Sequence, residues 1–207
     1  HSEQFIISSQ ITGPSSSQSP YLVSVNSHIT VESLITTGDQ APNGYTMVGI
    51  PDGLGAFDNG NGTFTVLMNH EIPGGAGAVR AHGANGAFVS EWVIDKTTLQ
   101  VLSGHDLIQH VFVAADNFAV DHSAANGNGI TFSRFCSADL ADVSAFYNAA
   151  SGLGFNGGRL FLDGEESGVE GRPFAHIASG PDATSSPPSA TWPTRTCSPT
   201  PIPATRP

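Results

Sequence analysis

The stretch Asp58–Glu71, DNGNGTFTVLMNHE, decides the fold class. Asp58, Asn59, Gly60, Asn61 and Gly62 supply turn chemistry, because Asn and Gly tolerate the positive φ a tight hairpin needs. Phe64, Val66 and Met68 then alternate with Thr63, Thr65 and Leu67, which is the period of a strand with one wholly apolar face. The strand runs out into Asn69, His70 and Glu71, three side chains able to hold a metal or a phosphate, before the turn residues Pro73, Gly74 and Gly75. A strand end is a rigid place from which to aim ligands. The same string opens like a calcium-binding EF-hand loop, but the twelfth position counted from Asp58 is Asn69. The bidentate Glu required there is missing, so the hairpin reading stands.

Working outward, strand-like pieces recur at 21–25, 29–35, 45–50, 87–94, 99–102, 130–135, 159–162 and 174–178. Turn signals such as Gly38-Asp39, Pro51-Asp52-Gly53 and Asp95-Lys96 separate them. Short strands at this spacing indicate an all-β sandwich, barrel or propeller. One segment departs from the period of two. Ser137 is placed to cap a helix over Ala138–Tyr147, with Asp139 at the positive end of its dipole and Leu140, Val143, Phe146 and Tyr147 on one face. The expectation is therefore an all-β domain over 21–180 with one inserted helix, preceded by an irregular Ser/Gln-rich arm over 1–20.

Residues 181–207 differ in kind. They hold eight of the 14 prolines and no apolar period, which reads as a Pro/Thr/Ser linker. Synonymous codon choices also allow an offset reading frame of ordinary globular character, so a frameshifted tail is the second reading. Cys136 and Cys197 are the two cysteines, enough for one disulfide in an oxidising compartment.

Composition narrows the function. Glycine numbers 24 of 207 residues and charged residues are 12%, which fits strands joined by turns. Seven basic residues face 18 acidic ones for a net −11, and Lys96 is the single lysine. No basic stripe exists to neutralise a nucleic-acid backbone. An acidic protein still binds anionic substrates where bound cations reverse the local sign. No apolar run reaches the roughly 18 residues of a membrane-spanning helix. Little lysine, little cysteine and much Ser, Thr, Asn and Gly are the composition of a secreted or periplasmic bacterial protein.

Four groups are candidates for chemistry. Asn69-His70-Glu71 is the first. The second is Arg80-Ala81-His82-Gly83, a loop whose His82 is a ligand, a phosphate donor or simply a satisfied hydrogen-bonding residue. Cys136 is the third: a thiol at the start of the expected helix is biased toward thiolate, the form iron or zinc needs, whereas a buried free Cys is a small hydrophobe. The fourth is Asp163-Gly164-Glu165-Glu166 at a strand end. Adjacent carboxylates there project to opposite sides, so Glu165 and Glu166 can serve two ions or lie in a solvated turn.

The order GD…YTMVGIPDGLGAFD…LMNHE…AHG…FCSAD…LFLDGEE, spanning about 38–176, resembles PhoX-type alkaline phosphatases and their secreted bacterial relatives. That resemblance implies a six-bladed β-propeller, here incomplete and corresponding to the N-terminal portion. It further implies a central cluster of calcium and iron ions that binds a phosphomonoester and activates its hydrolysis without a serine nucleophile. The features that the resemblance places in or around the metal site match Asn69-His70-Glu71, Cys136-Ser137 and Glu165-Glu166; Glu71, Cys136, Glu165 and Glu166 are the candidate ligands, with Asn69 and His82 candidates for holding substrate. Gly164 stands where the family's phosphatases carry a further Cys. The alternative is a secreted propeller-type binding or surface protein with a degenerate metal site. Either form, if its ring is unclosed, leaves a strand edge open to self-association.

Overall fold

The computed structural model describes residues 9–123, 129–168 and 171–180. Eleven strands follow in order: β1 Ser9–Thr12, β2 Thr30–Ser33, β3 Pro51–Asp58, β4 Thr63–His70, β5 Phe88–Asp95, β6 Val101–Asp106, β7 Phe135–Leu140, β8 Tyr147–Asn148, β9 Leu153–Gly154, β10 Leu160–Glu165 and β11 Pro173–Ile177. The fold is all-β, and no helix of seven or more residues occurs among the described residues. The sheets have the orders β1-β2, β3-β4-β5-β6, β11-β10-β7 and β8-β9, and none closes into a barrel. Neighbouring strands β3 and β4, like β5 and β6, are joined by connections far too short for a parallel crossover, so both pairs are antiparallel hairpins.

The described residues fall into two compact units, one within 1–48, 57–66 and 92–105, the other within 49–56, 67–91 and 106–207. In the first, the DNGNG turn behaves as its sequence requires. Gly60 and Gly62 take φ of +74° and +86°, Asp58 accepts from the Gly60 N–H, and Asn59 N–H donates to Thr63 O. Lys96 pairs with Asp58 beside this turn. Trp92 is buried with Tyr45 edge-on to it, ring centroids 5.3 Å apart. The indole lies so close to Gly104 that a Cβ there would fall 2.7 Å from a Trp92 ring carbon.

The second unit holds the β11-β10-β7 sheet and an aromatic core of Phe132, Phe135, Phe161 and Phe174, all buried. Strand β3 approaches this sheet through its glycines. A Cβ on Gly53 would sit 2.5 Å from the Ala138 nitrogen, and one on Gly55 would meet Leu140 and Phe161. The outward positions of β3, Asp52, Leu54, Ala56 and Asp58, are exposed.

Several expectations are corrected. The helix over Ala138–Tyr147 does not form. Residues 135–140 are β7, pairing antiparallel with β10 through Phe161↔Leu140, Leu162↔Asp139 and Asp163↔Ala138. A single 3-10 turn, Val143–Ala145, follows, capped by Asp142 rather than Ser137. Ser and Asp are weak helix formers, and the β10 edge offers the backbone a ladder while Phe135 is buried. The arm over 1–20 is not irregular throughout, since Ser9–Thr12 pairs parallel with Thr30–Ser33. Tyr21–Val25 forms no strand, and 45–50 contributes only the bridge Gln40↔Thr46; β propensity without a partner strand does not make a sheet. Pro51-Asp52-Gly53, read as a turn, opens β3. The tail over 181–207 and Cys197 lie outside the described residues.

Candidate functional site

Strand β4 ends in the polar triplet, and each member has a separate fate. Asn69 is fully buried, and its Nδ2 donates to the carbonyls of Cys136 and Ser137 at 3.3 and 3.4 Å. These two residues form a β-bulge. Ala138 pairs with Asp163 and Phe135 with Glu165, so Cys136 and Ser137 together oppose Gly164 alone. The Asn69 Oδ1 is buried with no partner.

His70 belongs to the core. Its Nε2 lies 2.7 Å from Ser90 Oγ, and its ring stacks on Phe88 with centroids 4.1 Å apart. The Arg80 guanidinium carbon stands 3.4 Å from the same Phe88 centroid. Two groups so near one centroid overlap unless they occupy opposite faces, so Phe88 is sandwiched between imidazole and guanidinium.

Glu71 is placed by its own N–H, which donates to Ile50 O at 2.8 Å. Its Oε1 accepts from Arg134 Nη1 at 3.0 Å. Glu165, its side chain 3% exposed, is held by four donors. Its Oε1 accepts from Ser133 N–H at 3.0 Å and Arg172 Nη2 at 2.7 Å, and its Oε2 from Arg172 N–H at 3.2 Å and Nε at 2.7 Å. Glu71 and Glu165, distant in sequence, therefore bond to the consecutive residues Arg134 and Ser133. Glu166 is exposed, and its N–H donates to Arg134 O at 2.8 Å. Arg134 sits at φ +49°, a sparsely populated region for a side-chain-bearing residue, with its N–H bonded to Ile72 O at 3.0 Å.

The structure thus brings together Asn69, Glu71, the Cys136–Ser137 bulge and Glu165–Glu166. It does not bring carboxylates onto a shared cation. Cys136 is a half-buried free thiol within β7, so the helix-dipole argument for its thiolate lapses. Among the described residues no group of three or more His, Cys, Asp or Glu side chains is arranged to hold a metal. As arranged, the donor set does not fit a resident cation: four N–H groups already saturate Glu165, and a guanidinium covers Glu71.

His82 is fully buried against Phe132, ring centroids 4.8 Å apart, and neither ring nitrogen has a hydrogen-bond partner of good geometry. Burial pushes its pKa down to about 4; Asp106 and the Ile130 backbone oppose the shift, and Arg80 and His176 add to it. It cannot touch a substrate while seated.

Sequence reasoning missed the two arginines and a buried pair, Asp163 Oδ1 with His176 Nε2 at 3.0 Å. The pair's signal was present: polar residues at inward positions of LFLDG and PFAHI. Nothing local marked Arg134 or Arg172 as counter-ions, because their carboxylates arrive from other strands. No protein-family model matches the chain, and no match emerged among curated proteins or solved structures.

Proposed function

We propose that the corner formed by Glu71, Arg134, Glu165 and Arg172 handles a phosphomonoester, as in the metal-dependent phosphomonoester hydrolases whose motif order this chain resembles. The observation that carries this reading is that Glu71 and Glu165 bond to the neighbouring residues Arg134 and Ser133. Arg134 keeps an exposed guanidinium face, its side chain 47% exposed, and a guanidinium fork matches phosphoryl oxygens. Calcium or iron belongs to this proposal only if the arginines give way. A propeller architecture, to which the four-strand order β3-β4-β5-β6 is suited, and a secreted or periplasmic location belong to it as well. The second reading, a binding or surface protein with a degenerate metal site, is favoured by the saturation of Glu165.

Self-association is part of either reading. Tyr21, Leu22, Val23 and Val25 are exposed, large and apolar, and no carboxylate, lysine or arginine lies among them to discourage apolar association. No described helix is long and apolar enough to cross a membrane.

The test is titration with inorganic phosphate and with p-nitrophenyl phosphate, with and without added calcium and iron, on wild type and Arg134→Gln. Metal-dependent turnover supports the hydrolase. Phosphate binding without turnover, weakened at least tenfold in Arg134→Gln, supports the binding protein. Neither binding nor turnover refutes both.

A further inference from the structure

His82 occupies a position that the proposed phosphate corner does not use. It sits in the loop Arg80–Ala84, which hydrogen bonds and an ion pair hold on either side of it in sequence. Arg80 N–H donates to Ala84 O and Gly83 N–H to Arg80 O, both at 2.9 Å. Arg80 Nη2 meets Asp106 Oδ1 at 3.0 Å, and Ala81 N–H donates to Asp106 Oδ2 at 2.8 Å. The imidazole itself is the least satisfied part of this device, fully buried with both nitrogens unpartnered.

We propose that the Arg80–Ala84 loop is an acid-sensitive latch: His82 stays seated while its imidazole is neutral, and the loop opens when the ring takes a proton. Burial makes the seat hostile to an imidazolium, and the charges around it pull in both directions. Arg80, on the same loop, is a fixed cation. Asp106, at the end of β6, favours the charged ring, but each of its oxygens already serves the loop's own donors. His176, from β11, is a second imidazole, committed to Asp163. Arg172 stands 5.9 Å from the centroid of Phe132, the ring against which His82 packs. A proton on His82 would enter a fully buried seat where neither ring nitrogen has a hydrogen bond of good geometry, and that desolvation outweighs the pull of Asp106 and the Ile130 backbone, whereas the open loop offers water.

The closed ring titrates at about 4 and a solvated one at 6.5. Linkage then raises the opening equilibrium roughly 30-fold between pH 7.5 and pH 5. Opening would free the Arg80–Asp106 clasp and uncover Phe132 and Phe88 without disturbing the strand ladders.

Amide hydrogen exchange resolved by residue, corrected for intrinsic rates, tests this on the full chain. In wild type, protection of the Arg80 and Gly83 amides should fall roughly 30-fold over that range relative to amides of β5, and His82→Leu should abolish the change. A ratio that stays flat with pH in wild type, or a fall that survives in His82→Leu, overturns the latch. Should His82→Leu fail to fold, titration of the His82 ring in wild type by NMR decides. A ring still neutral at pH 5.5 in the closed loop supports the proposal. A ring protonated at that pH with the loop amides still protected refutes it.

Discussion

Glu165→Gln isolates the interaction that organises the candidate site. The substitution preserves shape but turns one carboxylate oxygen into an NH2 group. Each oxygen of Glu165 accepts one backbone N–H and one guanidinium N–H, at 2.7–3.2 Å. Whichever oxygen is replaced, two donors then face a third donor, and Arg172 loses its counter-ion. With the side chain 3% exposed, water cannot repair the loss. Breaking one side of a pair buried on both sides costs about 3–5 kcal/mol; with the Arg172 side chain 36% exposed the loss here is about 2–3 kcal/mol, on the order of 5–10 °C in midpoint for a chain of this size. Urea unfolding monitored by Trp fluorescence and far-UV circular dichroism measures it. Arg172→Met alone should cost less, because two of Glu165's four donors are the backbone N–H groups of Ser133 and residue 172, and the double variant should fall short of the sum of the singles. A Glu165→Gln protein within 1 kcal/mol of wild type would show that the pair is solvated and that the carboxylate remains open for other ligands.

Three further outcomes are expected. Because the folded His82 titrates at about 4 against 6.5 when solvated, its contribution to stability is complete above pH 6.5 and is lost as pH falls toward 4. Wild type should therefore lose about 2 kcal/mol more than His82→Leu between pH 7.5 and pH 5 by denaturant titration at each pH. Gly86 bridges Phe132 at φ +102°, and a Cβ there would lie 2.1 Å from Phe132 O; Gly86→Ala should cost more than about 2 kcal/mol in thermal melts and break that bridge. Cys136 is half-buried in β7, so its thiol should react with an aromatic disulfide reagent more slowly in the folded chain than in urea; equal rates would place it at the surface.

The sequence by itself determined the all-β class and the elements whose information is local. Asp58–Glu71 carried both its turn, through Asn and Gly, and its strand, through a period of two; 87–94, 159–162 and 174–178 likewise announced β5, β10 and β11. It also marked the Asn69–Glu71, Cys136 and Glu165–Glu166 segments that meet in space. What tertiary structure alone decided depends on partners far along the chain. Ser137–Tyr147 satisfies a helical pattern as well as a strand one, and the ladder offered by β10 settles it. Tyr21–Val25 has strand-forming residues but receives no neighbouring edge. The counter-ions of Glu71 and Glu165 are guanidinium groups, a fact invisible locally, because Arg134 and Arg172 carry no signal until folding places them opposite buried carboxylates. Periodicity encodes which face of an element is apolar; only packing assigns each buried charge its partner.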